Sequence, residues 1–204
     1  MTRLPALVLI TALMAAAGSA AFAQGAPTAV RGELVSLAGN TMTVKTATST
    51  VAVTVPDDLR VQYVVKSDIS KIGPGTFIGT AAVPQADGSY RALEIQFFNQ
   101  QNHPGETDRA WDVAPKSTMT NATIAEMSAV SVDKVDGRML TLKWAGGEKK
   151  IFVPASAPVV SFEPATRAAL VPGANVMLFA VKKDDGSMST PSVNVGKDGL
   201  KIPY

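Results

Sequence analysis

Apolar and polar positions alternate in short stretches along most of this chain. The segments 41–45 (T-M-T-V-K) and 139–143 (M-L-T-L-K) each place apolar side chains on one side and Thr or Lys on the other. A period of two is typical of half-buried β-strands. Gly and Pro separate such stretches throughout, as expected of short strands joined by turns. The pattern therefore predicts an all-β fold.

Four short landmarks recur 98 residues later in the same order, which predicts an internal duplication without a gap. The matched pairs are Gly39 with Gly137, Val55-Pro56 with Val153-Pro154, Pro74-Gly75 with Pro172-Gly173, and Asp87-Gly88-Ser89 with Asp185-Gly186-Ser187. We expect Gly39 and Gly137 to occupy equivalent tight turns, and likewise Gly88 and Gly186. Glycine is favoured where a turn needs a positive φ.

The spacing predicts two tandem domains and a tail. We assign residues 28–98 to the first copy, 99–127 to a polar linker, 128–198 to the second copy and 199–204 to a C-terminal tail. Each copy has the pattern β-β-β-α-β-β, with a short helix between strands three and four. This order favours two tandem five-stranded OB-like barrels. A generic small barrel or meander is the alternative.

Several segments resemble a family of exported bacterial proteins of unknown function. They are R-G-E-L-V-S-L-A-G-N-T-M-T-V-K at 31–45, V-P-D-D at 55–58 and P-Q-A-D-G-S-Y-R-A-L-E-I at 84–95. The linker segment H-P-G-E-T-D-R-A-W-D at 103–112 is similar to proteins of the same architecture. The resemblance implies repeated OB-like barrels and export. It implies no activity, because no catalytic residues come with it.

Residues 1–23 have the pattern of a secretory signal peptide. Arg3 precedes an apolar stretch that ends near Gly18, and A-F-A at 21–23 suits signal peptidase cleavage. The apolar stretch is too short for a membrane anchor. We therefore expect a periplasmic or secreted protein with no membrane span after cleavage. The chain has no Cys, so it has no disulfide framework.

Charge and motif content narrow the function classes. The formal net charge is +2 over 204 residues, which argues against a nucleic-acid partner. The sequence shows no nucleophile motif, phosphate-binding loop or cofactor motif, so we expect a protein that is not an enzyme and needs no cofactor. A non-enzymatic binding module is the leading interpretation, with an unknown periplasmic protein, peptide or saccharide as its partner.

Candidate ligand-binding residues lie mainly in the predicted linker. They are His103, Trp111 and Asp112, joined by Trp144 at the end of a strand in the second copy. An aromatic ring beside charged groups is suited to a sugar acid or a peptide carboxylate, although Trp144 also suits a cap over the barrel core. The alternative is a periplasmic metal-handling protein that uses His103, Asp108 and Asp112, although one imidazole on a polar segment is a weak ligand set.

The linker is expected to be ordered in spite of its polar composition. A disordered tether has little use for Trp111, Ile124 and Met127, since disorder normally comes with few aromatic residues. We expect residues 117–123 to pair with a barrel edge, and Trp111 to fill a groove between the two barrels.

The first test concerns the start of the mature chain, which we expect at Gln24. Signal peptidase should cut after the A-F-A triplet, because small residues at these positions fit its active site. Intact mass spectrometry of protein recovered from the exporting host measures this directly. A mass that retains residues 4–17 would mean a membrane anchor and would contradict the predicted localisation.

Overall fold

A computed structural model describes residues 26–99, 103–132 and 135–204, which form fifteen strands and three 3-10 turns. The predicted signal peptide and Gln24 lie outside these residues. The strands before residue 100 are β1 (Thr28–Ala38), β2 (Thr41–Lys45), β3 (Thr50–Thr54), β4 (Arg60–Lys66), β5 (Phe77–Pro84), β6 (Tyr90–Ala92) and β7 (Ile95–Phe97). Those after residue 102 are β8 (Thr107–Ala110), β9 (Thr118–Val132), β10 (Val135–Trp144), β11 (Gly147–Pro154), β12 (Val159–Ala165), β13 (Asn175–Lys182), β14 (Met188–Ser189) and β15 (Ser192–Gly196).

The short helices predicted between strands are single 3-10 turns at Ile69–Lys71 and Arg167–Ala169, and a third turn lies at Lys197–Gly199. The first turn has little room, because β4 ends at Lys66 and the Pro74-Gly75 turn follows soon after. The second has less, because β12 continues to Ala165 through Pro164. No helix within the described ranges is long and apolar enough to cross a membrane.

The pairing of β4 with β12 joins the two halves of the chain. These strands are antiparallel, with Val160 opposite Lys66 and Pro164 opposite Gln62. Each also has a parallel neighbour on its other side: β15 pairs with β4, and β7 pairs with β12. The four strands form a seam between two rings of strands.

The first ring is a closed five-stranded β-barrel. β1 pairs with β2, β2 with β3, β3 with β14, β14 with β13, and β13 returns to β1. The alternation predicted for residues 41–45 fills its interior, since Met42 and Val44 are fully buried while Thr41 and Lys45 are exposed. Three of its strands come from the N-terminal half and two from the C-terminal half.

The second ring has the reverse composition. Its pairings run from β9 to β10, β11, β6, β5 and back to β9. Ile78, Ile124 and Leu140 are among its fully buried side chains. A third apolar cluster, which contains Val64, Val160 and Tyr204, packs along the seam.

The strand exchange departs from the prediction of two tandem barrels. Neither residues 28–98 nor residues 128–198 close a ring by themselves, because β5 and β6 join strands of the other half, and so do β13 and β14. The physical reason is the seam. Once β4 has paired with β12, the chain that follows it emerges beside the opposite ring.

The 98-residue spacing holds from the second strand of each half onwards. The first two 3-10 turns begin at Ile69 and Arg167, and β5 and β13 begin at Phe77 and Asn175. Gly88 and Gly186 have φ values of 83° and 81° in matching turns, as predicted. We call residues 98 apart in these segments counterparts.

The first strand of each half follows a different spacing, of 90 residues. The Leu34 amide donates to the Ala174 carbonyl at 2.8 Å, and the Ile124 amide donates to the Thr76 carbonyl at 2.9 Å in the matching place. The ladders bulge just after each of these residues, at Val35 and at Ala125. The first strands therefore depart from the predicted gap-free spacing of 98 residues. Eight extra residues lengthen the β9–β10 hairpin.

Gly137 is not in a turn, contrary to prediction. It lies within β10, opposite Pro154. A Cβ there would come within 2.3 Å of the Val153 carbonyl oxygen and 2.6 Å of the Phe152 ring, so glycine is needed for close packing. The Asp136-Gly137 pair resembled a hairpin signal, but the hairpin continues until Val132 pairs with Val135.

The predicted linker is largely β-structure. β8 and the first part of β9 lie within residues 99–127 and pair with each other as an antiparallel hairpin. The segment Thr118–Thr123 also pairs with β5 and so completes the second ring, which agrees with the expected pairing to a barrel strand.

Strand exchange leads to a test of the isolated halves. A fragment of residues 26–99 should not give a folded monomer, because β1, β2 and β3 lack the strands that close their barrel. Mixing it with a fragment of residues 103–204 should restore β-structure. Circular dichroism and sedimentation velocity measure both results. A folded, monomeric 26–99 fragment would contradict the exchange.

Candidate functional site

A cavity of about 570 Å³ lies between parts of both halves. One wall is the end of β4 and the turn after it, residues 66–69. The opposite wall is the long β9–β10 hairpin, through Ala129 and residues 136–138. Residues 153–155 and 157–160 contribute to the floor, and the tail closes one side through Leu200, Lys201 and Pro203. A volume of this size is typical of small-ligand and peptide side-chain sites.

The cavity has an apolar floor and a rim of mixed charge. Val153, Pro154 and Val159 are among the floor residues, whereas Lys66, Arg138 and Lys201 are among the rim residues. None of these three cations takes part in an ion pair found within the described ranges. The site can hold apolar groups while charged groups stay at its edge.

Two acidic residues also line the cavity, at Asp68 and Asp136. Asp68 caps the first 3-10 turn, where its carboxylate accepts a hydrogen bond from the Ser70 amide at 2.7 Å. Hydrogen bonds from the side chain and the amide of Ser70 lower the pKa of Asp68. That carboxylate is thus already engaged within the protein.

Ser67 contributes a polar atom without a partner. Its Oγ is buried and makes no hydrogen bond, although its amide donates to the Val159 carbonyl at 2.8 Å. A buried hydroxyl normally finds a partner, since leaving it unpaired costs on the order of 1–3 kcal/mol. Ser67 also belongs to the cavity lining, although its hydroxyl oxygen is itself buried.

The matching place in the first half is filled by the protein's own arginine. Arg167 donates to the Pro56 carbonyl at 2.7 Å and to the Gly39 carbonyl at 2.9 Å. Its counterpart is Ile69, which lines the open cavity beside Gly137 and Pro154, the counterparts of Gly39 and Pro56. The two halves therefore differ at this position in both side chain and occupancy.

Arg31 of β1 contacts both Trp111 and Asp112, which are neighbours in the chain. Both Arg31 terminal nitrogens bind the Asp112 carboxylate, at 2.7 and 2.9 Å, and this pairing lowers the pKa of Asp112. The Trp111 ring packs on Phe179 with centroids 5.8 Å apart, between Arg31 and Arg109. Trp111 also packs against the seam cluster, so it anchors the segment between the rings.

The three residues of the metal-handling alternative, His103, Asp108 and Asp112, each contact a different part of the protein. His103 stacks on Phe77 at a centroid distance of 3.9 Å, whereas Asp108 binds Lys149 at 2.5 Å and Asp112 binds Arg31. No group of three or more His, Asp or Glu side chains placed to hold a metal occurs among the described residues. The geometry thus gives this alternative no support there.

Trp144 lies at the end of β10. It is half-buried against the core of the second ring, and a Cβ at Gly146 would come within 2.8 Å of its indole nitrogen. The turn glycines therefore let the indole lie over the hairpin end. This placement agrees with a cap over the core.

Glu94 is a fully buried carboxylic acid that the sequence did not single out. One oxygen accepts from the Ala81 amide at 2.9 Å and from Gln96 at 3.3 Å, and the other has no partner. Burial raises its pKa to about 8 against these two hydrogen bonds. Glu94 does not line the cavity.

The cavity itself escaped the sequence interpretation. Its walls come from segments distant in the chain, and Ile69 is an ordinary apolar residue in a turn. One signal was present: L-V-S-L at 34–37 matches I-A-E-M at 124–127 at a spacing of 90, not 98. That mismatch in spacing marks the longer hairpin.

Comparison of the chain with protein-family models, with curated proteins and with solved structures finds no match. The resemblance to an exported bacterial family therefore stays a prediction. The chemistry of the site has to be inferred from its own geometry.

The buried Glu94 leads to a pH test of stability. Its pKa is raised from 4.5 to about 8, so the unfolded chain releases a proton in this window while the folded protein keeps one. The free energy of unfolding should therefore fall by several kcal/mol as pH rises between these values and stay level below them. Glu94→Gln should remove most of this slope.

Urea unfolding at several pH values across the window measures the slope. Glu33→Gln, at an exposed carboxylate on β1, is the matched control and should keep the wild-type slope. Parallel pH profiles for wild type and Glu94→Gln would show that the carboxyl is not held neutral by burial.

Proposed function

We propose that this protein is an exported, non-enzymatic binding module whose ligand occupies the cavity beside the β9–β10 hairpin. One observation carries the proposal: the cavity is open where Ile69 stands, and the same place in the first half is filled by Arg167. Around this turn the two halves keep the 98-residue spacing, yet they differ here in side chain and occupancy. A binding site in one half only requires a cavity that is open in that half and filled in the other.

An OB-like origin supports this function. The barrel closes in the order first, second, third, fifth and fourth strand, with a parallel pairing of β3 and β14. OB folds commonly bind ligands beside strands two and three. The cavity lies beside the corresponding strands of the second ring, β10 and β11. We infer that a duplicated OB-like unit exchanged its last strands and kept one binding site.

The predicted signal peptide supports export to the periplasm or outside the cell. No residue lining the cavity forms a nucleophile and base pair, so binding accounts for the site without chemistry. The candidate residues His103, Trp111, Asp112 and Trp144 do not line this cavity, and each contacts another part of the protein.

The test uses 8-anilinonaphthalene-1-sulfonate, whose apolar rings and sulfonate suit an apolar floor with cations at the rim. Wild-type residues 24–204 should bind it at one saturable site. Ile69→Arg should weaken binding at least about tenfold, because the new side chain would fill the cavity as Arg167 does in the first half. Fluorescence titration measures the affinity, and amide shifts of labelled protein locate the probe.

Arg167→Ile is the matched control. It should leave the probe's affinity in the second-half cavity within about twofold, although it loses two hydrogen bonds and should lower stability by about 1–3 kcal/mol. Equal probe binding by wild type and a folded Ile69→Arg variant would show that this cavity is not the site.

A further inference from the structure

The β9–β10 hairpin has a free edge beside the cavity. β10 covers one side of β9, while β5 and the Gly75-Thr76 segment cover the other side only as far as Ile124. Beyond Ile124, no strand of the described chain pairs with that outer side of β9. The corresponding strand β1 continues for only a few residues after Leu34 and ends at Ala38.

The ladder shows which main-chain groups the free edge presents. The Ala155 amide donates to the Asp136 carbonyl, so Asp136 faces β11 and Gly137 faces β9. Since antiparallel strands alternate, Val130 faces β10, and Met127, Ala129 and Ser131 face outward. Their amides and carbonyls form a strand-pairing edge.

The free edge and the cavity are parts of one surface. Ala129 belongs to the outward-facing set and also lines the cavity. The turn after β4 contributes Ile69 to the same cavity. A chain laid along β9 would thus have main-chain partners on one side and an apolar floor for alternate side chains.

We propose that the ligand of this site is an extended polypeptide, which pairs as an added strand with residues 127–131 of β9 and places apolar side chains in the cavity. Strand addition fits these features better than a compact ligand does, because an unpaired edge supplies main-chain hydrogen bonds in the repeat of an extended peptide. This inference rests on the proposed function, since it takes the cavity as the site.

The test selects peptides on wild-type residues 24–204 from a random library about ten residues long, the upper range for a strand. A selected peptide is then made with one N-methyl group at a time. Methylation should weaken binding about tenfold at every second amide of the peptide, because those amides donate hydrogen bonds to β9. At the alternate amides, which point away from β9, methylation should change the affinity little. Fluorescence anisotropy measures each affinity.

Protein variants test the same edge from the other side. Ala129→Pro removes an outward amide that β10 does not use, and it should weaken peptide binding about tenfold. Ala129→Ser keeps the amide and should bind within about twofold of wild type. Circular dichroism checks that both variants fold, and the methylation series needs no variant.

Several results would overturn the peptide assignment. They are a selection that yields no binding sequence, methylation effects without a period of two, and sedimentation showing that the free edge pairs two copies of this chain. In each case, loss of the naphthalene probe in Ile69→Arg would still support the cavity as the site. Retention of that probe would remove the proposed function as well.

Discussion

The antiparallel pairing of β4 with β12 is the contact on which the rest of the structure depends. It carries each half's later strands across to the opposite ring, so that the barrel of β1, β2 and β3 is closed by β13 and β14. The cores of both rings are therefore coupled to the seam. Because each ring contains strands from both halves, separating the halves would leave two unfinished rings together, which favours a single cooperative unit over two independent domains.

The seam also explains where polar groups are buried. Glu94 and Gln96 lie beside Ala81, while Asn194 donates to the Tyr204 hydroxyl at 3.2 Å. Burial, followed by the nearby Glu94 carboxyl, raises the pKa of Tyr204. The counterpart of Glu94 is Ser192, so the buried acid belongs to one side of the seam alone. Near-symmetry in strand order thus coexists with asymmetry in chemistry.

Sequence patterns predicted the local structure well and the assembly poorly. Alternation at 41–45 and the Asp-Gly-Ser turns were readable, because each depends on neighbours in the chain. Strand exchange was not, since β5 has the same apolar pattern whichever ring receives it. Of the candidate residues, Trp111 was recognised as an anchor, whereas Ile69 carried no signal of its own. The role proposed for Ile69 depends on the comparison with Arg167, which fills the same place in the other half.

The cavity walls link binding to the strand exchange. One wall precedes residue 70, another follows residue 128, and the tail near Lys201 closes the side, so the site exists only when both halves are assembled. A ligand that binds the assembled protein and not the unfolded chain stabilises it by mass action. An added strand on β9 would extend the same sheet that the seam organises. The eight extra hairpin residues, which weaken the likeness between the halves, thus belong to the element that the proposed function uses as one wall of its site.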